Sequence, residues 1–503
     1  MKRIPLTAAV ALVALATTYP PRIAHSAYPT DSGSSTVVRP PSAIVIDGRF
    51  EDWQAIEPSW NDSAGDVGGR GIDLGRLWAA SDAERVFLCF ETGIELGLQG
   101  GNDIALHIDG DDDISTGTAR SGMGIDLVWR FGQREGAVYS GPTGARRRIE
   151  QSDIGLRQGP TVTSTTFEIS LLRSSLPPGD AIRICITTGS HPGSDRLPDT
   201  DGGVRVALSD AASSDAAFDA PDARSLEREH PDDLRVATYN VLFDGLFKRP
   251  APFIRILRAI DPDVICFQEI WSHTAQQAVD QVNLALPDGA PWYGGSTEDG
   301  LIVSRYPIIE DQSLDEAGNH WALIDLPDET YGADLSLVSA HPPCCDNEQG
   351  RQEELDGIAA WMRDLKLGGS PGIPSGTFIV IAGDMNLVGS SKQVETLVAG
   401  SIGDERRFGR AAAADWDGTP LSDASPLHIG GREGYTWRDD TSRFAPGKLD
   451  YIVYSDSVME MTGGFVLRTE DLPRDMLARY GLRASDTGEA SDHLPVVADF
   501  RPR

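Results

Sequence analysis

A chain of 503 residues is about three times the ~150 of a typical domain, which excludes a single small module and predicts two or three domains. Forty per cent of the residues are apolar, and Gly and Pro together fall short of the ~25–30% of low-complexity chains, so neither a disordered nor a fibrous protein is expected. The net charge of −32 repels polyanions at long range and excludes a non-specific nucleic-acid coat protein.

In chain order, Met1-Lys-Arg, the apolar run 6–16 and the small-residue segment 24–27 read as a secretory signal over residues 1–27, too short for the ~20 residues of a spanning helix. The mature chain is therefore expected to be secreted or periplasmic, without a transmembrane segment. Five cysteines are an odd number, so the chain is not a disulfide scaffold; Cys89 and Cys185 either pair or stay as buried thiols.

After a flexible stretch at about 30–42, residues 43–208 carry short apolar runs at 44–46, 74–79, 85–91, 103–108, 125–131, 165–171 and 181–187. Gly, Asp and Pro break them, and there is almost no helical period, which predicts a β-sandwich. Trp53, Trp60, Trp78 and Trp129 offer either core or a sugar-stacking face, and tryptophans in such a fold are more often core. Asp109, Asp111 and Asp113, followed by Asp126, are closely spaced hard oxygen donors with glycines for the bends, a candidate Ca²⁺ loop; a solvated acidic turn is the plain alternative. The opening string Val45-Ile-Asp-Gly-Arg-Phe-Glu-Asp-Trp53 resembles the start of family 9 carbohydrate-binding-module-like and DOMON-like β-sandwiches. That resemblance implies an accessory domain with a glycan or cell-surface ligand, and a calcium role for the acidic loop.

Residues 209–231 are rich in Ala, Asp and Ser with one aromatic, Phe218, and read as an interdomain linker. From 234 the rhythm changes to strands at 234–240, 264–268, 301–304, 335–340, 378–382, 451–454 and 496–500, with helices at 252–260 and 351–365. This alternation over residues 234–503 predicts a layered α/β domain. Its strands end in polar residues: Asn240, Gln268-Glu269, His341, Asp384 with Asn386, Asp450, and Asp492-His493. Carboxylates and amides gathered at strand ends suit a hard cation such as Mg²⁺ or Mn²⁺ better than zinc, and point to phosphoester chemistry.

Thr238-Tyr-Asn240-Val, Phe267-Gln-Glu269, Val303-Ser-Arg305-Tyr-Pro, Gly383-Asp384-Met-Asn386, Leu449-Asp450-Tyr-Ile and Ser491-Asp492-His493-Leu-Pro together resemble the endonuclease/exonuclease/phosphatase superfamily. The resemblance runs from about residue 234 to the end. It implies a four-layer α/β sandwich and a metal-dependent attack of water on phosphorus. It assigns Glu269 to the metal with Asn240 and Asp492 close by, His493 as general base oriented by Asp450, and Asp384 to the attacking water. Asn386 would donate to a phosphoryl oxygen, and His341 would be the acid for the leaving group, backed by Glu298 or Asp299. One departure stands out: near Asn319-His320-Trp321, where the nuclease branch carries a phosphate-gripping arginine, there is none, and Arg351, Lys448 or His320 would have to substitute. Cys344-Cys345 after His341-Pro-Pro either close a ring or stay reduced. The substrate is left open among nucleic acid, phospholipid and small phosphoesters. The competing reading is a glycan-binding or cell-surface protein that has lost catalysis.

Overall fold

The computed structural model describes residues 44–503 except 64, 66, 68–70, 142–144, 190–193, 209–224, 288, 298, 317 and 432. The expected signal at 1–27, most of the expected linker, and Glu298 lie outside the described residues.

The first half is β-rich. Five strands run in the order Trp60–Asn61, Arg76–Ser81, Arg85–Leu96, Ser164–Leu172, Arg157–Gly159. A seven-stranded sheet is built around Ala181–Thr188, Ile104–Asp109, Leu127–Arg130, Glu135–Ser140 and Ala145–Ile149. Phe90, Phe167 and Ile169 of the first sheet share one hydrophobic core with Leu106, Trp129 and Ile184 of the second, as the period of two in a strand requires. The opening string turns out to be structural. The buried Glu168 carboxylate accepts hydrogen bonds from the backbone of Asp47 (2.7 Å) and Gly48 (2.6 Å) and from the Trp53 indole (2.9 Å), while Asp52 accepts from Val45 N (2.7 Å). Trp53 and Trp129 are core residues, so neither offers a sugar-stacking face; Trp60 and Trp78 are partly buried. Cys89 and Cys185 are buried free thiols that pack in separate clusters, which settles the pairing question against a bridge.

The second half contains two six-stranded sheets. One has the order Tyr293–Ser296, Leu301–Ser304, Val264–Gln268, Leu234–Asn240, Val496–Pro502, Met459–Val466; the other runs Ile308–Ser313, His320–Ile324, Leu335–Ala340, Phe378–Asp384, Asp450–Tyr454, Ser422–Asp423. Val236, Val264 and Cys266 of the first face Leu337, Val380 and Ile452 of the second across one hydrophobic core. The opposite face of the first sheet is covered by the helices Pro250–Ile260 and Ala275–Ala285, and that of the second by Glu348–Lys366 and Lys392–Ala399, which makes four layers. The helix at Ala275–Ala285 escaped the periodicity reading, although Thr274 and Gln277 form the capping box that opens it.

Strand direction is what positions the polar residues. Leu234–Asn240 and Val264–Gln268 are parallel, as are Leu335–Ala340 and Phe378–Asp384, so Asn240, Gln268, Ala340 and Asp384 finish at one edge. Asp450–Tyr454 and Val496–Pro502 run antiparallel to these and therefore begin there, with Asp450 registered on Asp384 and Val496 on Thr238.

Candidate active site

Asp384 lies at the middle of this edge. Its Oδ2 accepts from Asn240 Nδ2 (3.0 Å) and is 3.5 Å from Nε2 of both His341 and His493. Asn240 Nδ2 also reaches Glu269 Oε1 (3.1 Å), joining two carboxylates through one amide. Each histidine has its own carboxylate on the far ring nitrogen: His493 Nδ1 is 2.8 Å from Asp450 Oδ2, and His341 Nδ1 bonds Asp299. That partner fixes the tautomer and leaves Nε2 directed at Asp384. At 3.5 Å the Nε2 to Oδ2 separations exceed a normal hydrogen bond, so neither histidine is held by Asp384 through a direct one.

The electrostatics follow from crowding. Burial disfavours a charged imidazole, yet Asp450 and Asp384 overcome it and push His493 up to about 10. His341 is likewise raised to about 9, against burial, by Asp299 and Asp384. Burial lifts Asp450 to about 6 despite its imidazole partner.

The donor set fits a hard divalent cation. Asp384 and Glu269 share the Asn240 amide, the metal-competent group around Asp384 contains carboxylates and one histidine but no cysteine, and Oδ1 of Asp492 and of Asp450 are buried without a hydrogen-bond partner. Ligand atoms of Asp384, Asp450 and His493 lie within 4.8 Å of one another. Asp384 also accepts from Asn386 N (3.1 Å) and Glu269 from Phe243 N (2.8 Å), so the carboxylate oxygens of this edge left without a hydrogen-bond partner are Oδ1 of Asp450 and of Asp492. Asp492 is oriented by Trp437, whose indole donates to its Oδ2 (2.9 Å).

Each residue expected from the sequence is accounted for. Asn240, Glu269, His341, Asp384, Asp450 and His493 converge, and Asp492 adjoins His493. Asn386 is buried in a left-handed conformation, with Nδ2 donating to Pro342 O (3.0 Å), so only the second amide hydrogen remains for a ligand. Asp299 is the carboxylate behind His341. The three substitutes for the missing arginine are all committed elsewhere. Arg351 is fully buried and donates to Gln393 (2.8 Å) and Pro343 O (2.8 Å), Lys448 pairs with Asp423, and His320 is buried against Asp311. Cys344 and Cys345 form a disulfide at the exposed end of the His341 loop. In the first half, Asp109, Asp111 and Asp126 gather, whereas Asp113 turns to accept from Ser115 N (2.9 Å) and Oγ (2.7 Å) and is not part of the group.

Sequence reasoning missed three supports. Asn319 Oδ1 accepts from His341 N (2.8 Å), Trp437 holds Asp492, and Thr436 Oγ1 accepts from the backbone N–H of Leu449 (2.9 Å) and Asp450 (2.8 Å). None belongs to a strand-end motif, so no local signal marked them.

Three solved structures and one family model are similar to this chain. Among solved structures, the human nocturnin catalytic domain with bound sulfate is 15% identical, with 54% of this chain and 95% of that chain covered at a TM-score of 0.35. An AP endonuclease from Archaeoglobus fulgidus is 15% identical over 53% of this chain and 98% of its own, TM-score 0.34. Staphylococcus aureus beta toxin with bound magnesium ions is 15% identical over 53% and 99%, TM-score 0.32. No curated protein matches the chain. The model of the Endonuclease/Exonuclease/phosphatase family matches residues 237–493, just over half of the chain and the whole span from the Asn240 strand to His493. With its strand-end motifs brought to one edge and its sequence matched across all of them, the chain belongs to the endonuclease/exonuclease/phosphatase family.

Proposed function

We propose that the protein is an exported, divalent-metal-dependent phosphoesterase in which water attacks phosphorus. The observation that carries this reading is the pair of carboxylate-backed histidines converging on Asp384 beside the Asn240-linked Glu269. His493 takes the proton of the attacking water at Nε2, with Asp450 holding its tautomer. Asp384 orients that water. His341, kept cationic by Asp299 and Asp384, delivers a proton to the leaving oxygen. Asn386 points its remaining amide hydrogen at a phosphoryl oxygen. Glu269 and Asp492, with Asn240 adjoining, would hold Mg²⁺ or Mn²⁺. A cation held there would supply charge neutralisation at the phosphoryl oxygens and, set beside Asp384, would offset part of the carboxylate charge that raises His493.

The first domain, over about 43–208, is read as a β-sandwich accessory module, supported by its two sheets around one core. Asp109, Asp111 and Asp126, which gather within 4.8 Å, would be its calcium ligands. Residues 1–27 are the export signal, and among the described residues no helix is long and apolar enough to cross a membrane.

The experiment is hydrolysis of bis(p-nitrophenyl) phosphate by the purified mature protein. Activity is expected with Mg²⁺ or Mn²⁺ and none in EDTA, and Glu269→Ala should lose rate and metal response together. Full activity in EDTA would refute the metal assignment.

A further inference from the structure

Two large aromatic side chains at the mouth of the site have no part in the chemistry above. Phe243 is 56% exposed and Trp271 48%, and their rings lie 5.3 Å apart at 48°. Phe243 is three residues past Asn240, and its backbone N–H donates to Glu269 Oε2 (2.8 Å); Trp271 is two residues past Glu269. Both are therefore tied to the carboxylate that holds the metal.

The backbone is strained in order to present them. Leu242, Phe243 and Asp244 take φ values of 50°, 53° and 59°, and Glu269 one of 64°, all in the left-handed region that non-glycine residues avoid. Such strain persists only where surrounding contacts over-determine it, and it clusters at functional sites. Here the lock is Asp244, a buried carboxylate whose Oδ1 accepts from Trp271 N (3.0 Å) and Ser272 N (3.1 Å) and pairs with His273 Nδ1 (3.2 Å). His273 in turn stacks on Phe247 with ring centroids 3.7 Å apart. The two loops are thus cross-linked, and the aromatic pair is a fixed feature of the rim.

Local charge selects among flat or apolar occupants. Lys248 and Arg249 are exposed beside the pair: Lys248 Nζ donates to Phe243 O (2.7 Å) and lies 3.7 Å from Asp244 Oδ2, while Arg249 Nη2 donates to Ala490 O (2.8 Å) and Leu242 O (3.3 Å) and has no carboxylate partner among the described residues. With Lys248 balanced by Asp244, Arg249 leaves a positive charge next to the rings in a chain of net charge −32. A quaternary ammonium headgroup would stack on the rings but meet these cations, whereas a planar ring carried on a phosphate chain is attracted to both.

We propose that Phe243 and Trp271 form a stacking subsite for a nucleobase of a single-stranded or mononucleotide phosphoester, its scissile phosphate toward Glu269 and a neighbouring phosphate toward Lys248 and Arg249. This rests on the phosphoesterase reading and names its substrate class. Duplex DNA is disfavoured, because its bases are already stacked and its charge density is high.

The test uses the full-length protein carrying His493→Ala, in Mg²⁺, with fluorescence anisotropy of a labelled oligothymidylate against an abasic oligomer of the same length. Base–aromatic stacking predicts tighter binding of the base-bearing strand by roughly 5- to 100-fold. Adding Phe243→Leu and Trp271→Leu should bring the two affinities together, with the melting temperature unchanged because both side chains are on the surface. Equal affinities before those changes, or a preference that survives them, would overturn the proposal. So would binding to phosphatidylcholine vesicles that depends on the two rings without any preference between the oligomers. If the unmutated protein hydrolyses bis(p-nitrophenyl) phosphate while the base preference is absent, only the subsite fails; if it hydrolyses no phosphodiester, the phosphoesterase reading fails.

Discussion

The two histidines have the same architecture, and the different tasks proposed for them are separated by a choice of leaving group. His493 and His341 each carry a carboxylate on Nδ1 and present Nε2 to Asp384. A base that activates water is needed whatever leaves, so His493→Ala should lower turnover by ~10²- to 10⁴-fold on every substrate. An acid is needed only when the leaving oxygen is basic. p-Nitrophenolate departs without a proton, whereas an alkoxide does not. His341→Ala is therefore expected to cost little on bis(p-nitrophenyl) phosphate and ~10²-fold or more on an alkyl phosphodiester. Steady-state rates on the two substrates check this; equal losses on both would remove His341 from the leaving-group role.

Short elements carry the same division between packing and chemistry. In Gly383-Asp384-Met-Asn386 the glycine is a packing requirement: a Cβ there would come 1.9 Å from Ala340 O, across the parallel strand that delivers His341. The acidic loop of the first domain is the element whose function can be read by melting. Asp109 and Asp126 are buried and share one 4.8 Å cluster with Asp111, so like charges crowd where solvent cannot screen them fully. Ca²⁺ should raise the melting temperature of the unfolding transition that includes this domain, and Asp126→Asn should abolish the rise while Asp113→Asn leaves it. Melting that ignores Ca²⁺ in the unmutated protein would return the loop to a solvated acidic turn.

For the whole molecule, the first domain does not hang on a tether. Thr163 N donates to Gly389 O (2.8 Å), Thr161 Oγ1 to Leu387 O (2.8 Å), Gln151 Nε2 to Asp439 O (3.4 Å), and Ala445 N to Gln99 Oε1 (2.9 Å). Arg157 and Arg85 reach across to Glu433 at 3.1 Å and 3.7 Å. Burial works against that carboxylate, but Arg157, His428 and Arg85 hold it below its usual range. These contacts grip the segments that carry Asn386, Thr436, Trp437 and Asp450. Cleavage within 209–231 is accordingly expected to leave two fragments that co-elute on size exclusion, in place of the independent active piece that a linker implies. Glu433→Ala, which strands two partly buried arginines, should cost about 3 kcal/mol in denaturant unfolding and reduce turnover through the loop that holds Asp492. Fragments that separate with the C-terminal one fully active would show that the contacts do not matter to the site.

The sequence by itself determined the reaction centre in outline. Strand periodicity is local, and a polar residue that ends an apolar run must lie at a sheet edge, so Asn240, Glu269, His341, Asp384, Asp450 and His493 were legible one motif at a time. What joins them was not. Asp299 was expected behind His341 only as one of two neighbouring candidates, with Glu298, and the fold decides between them; Asn319 under the His341 backbone and Trp437 on Asp492 depend on register between strands and loops distant in the chain, and such geometry has no local signature. The same holds for Arg351 and Lys448, which as isolated cations look available for phosphate and are taken up by Gln393, Pro343 and Asp423 only once the chain is folded. The Trp53 string was legible as a motif but not as a plug, because its buried acceptor, Glu168, comes from a strand more than a hundred residues away. Tertiary structure also decided the relation of the two halves, since their shared surface is built from single residues of many loops, none of which is marked by composition.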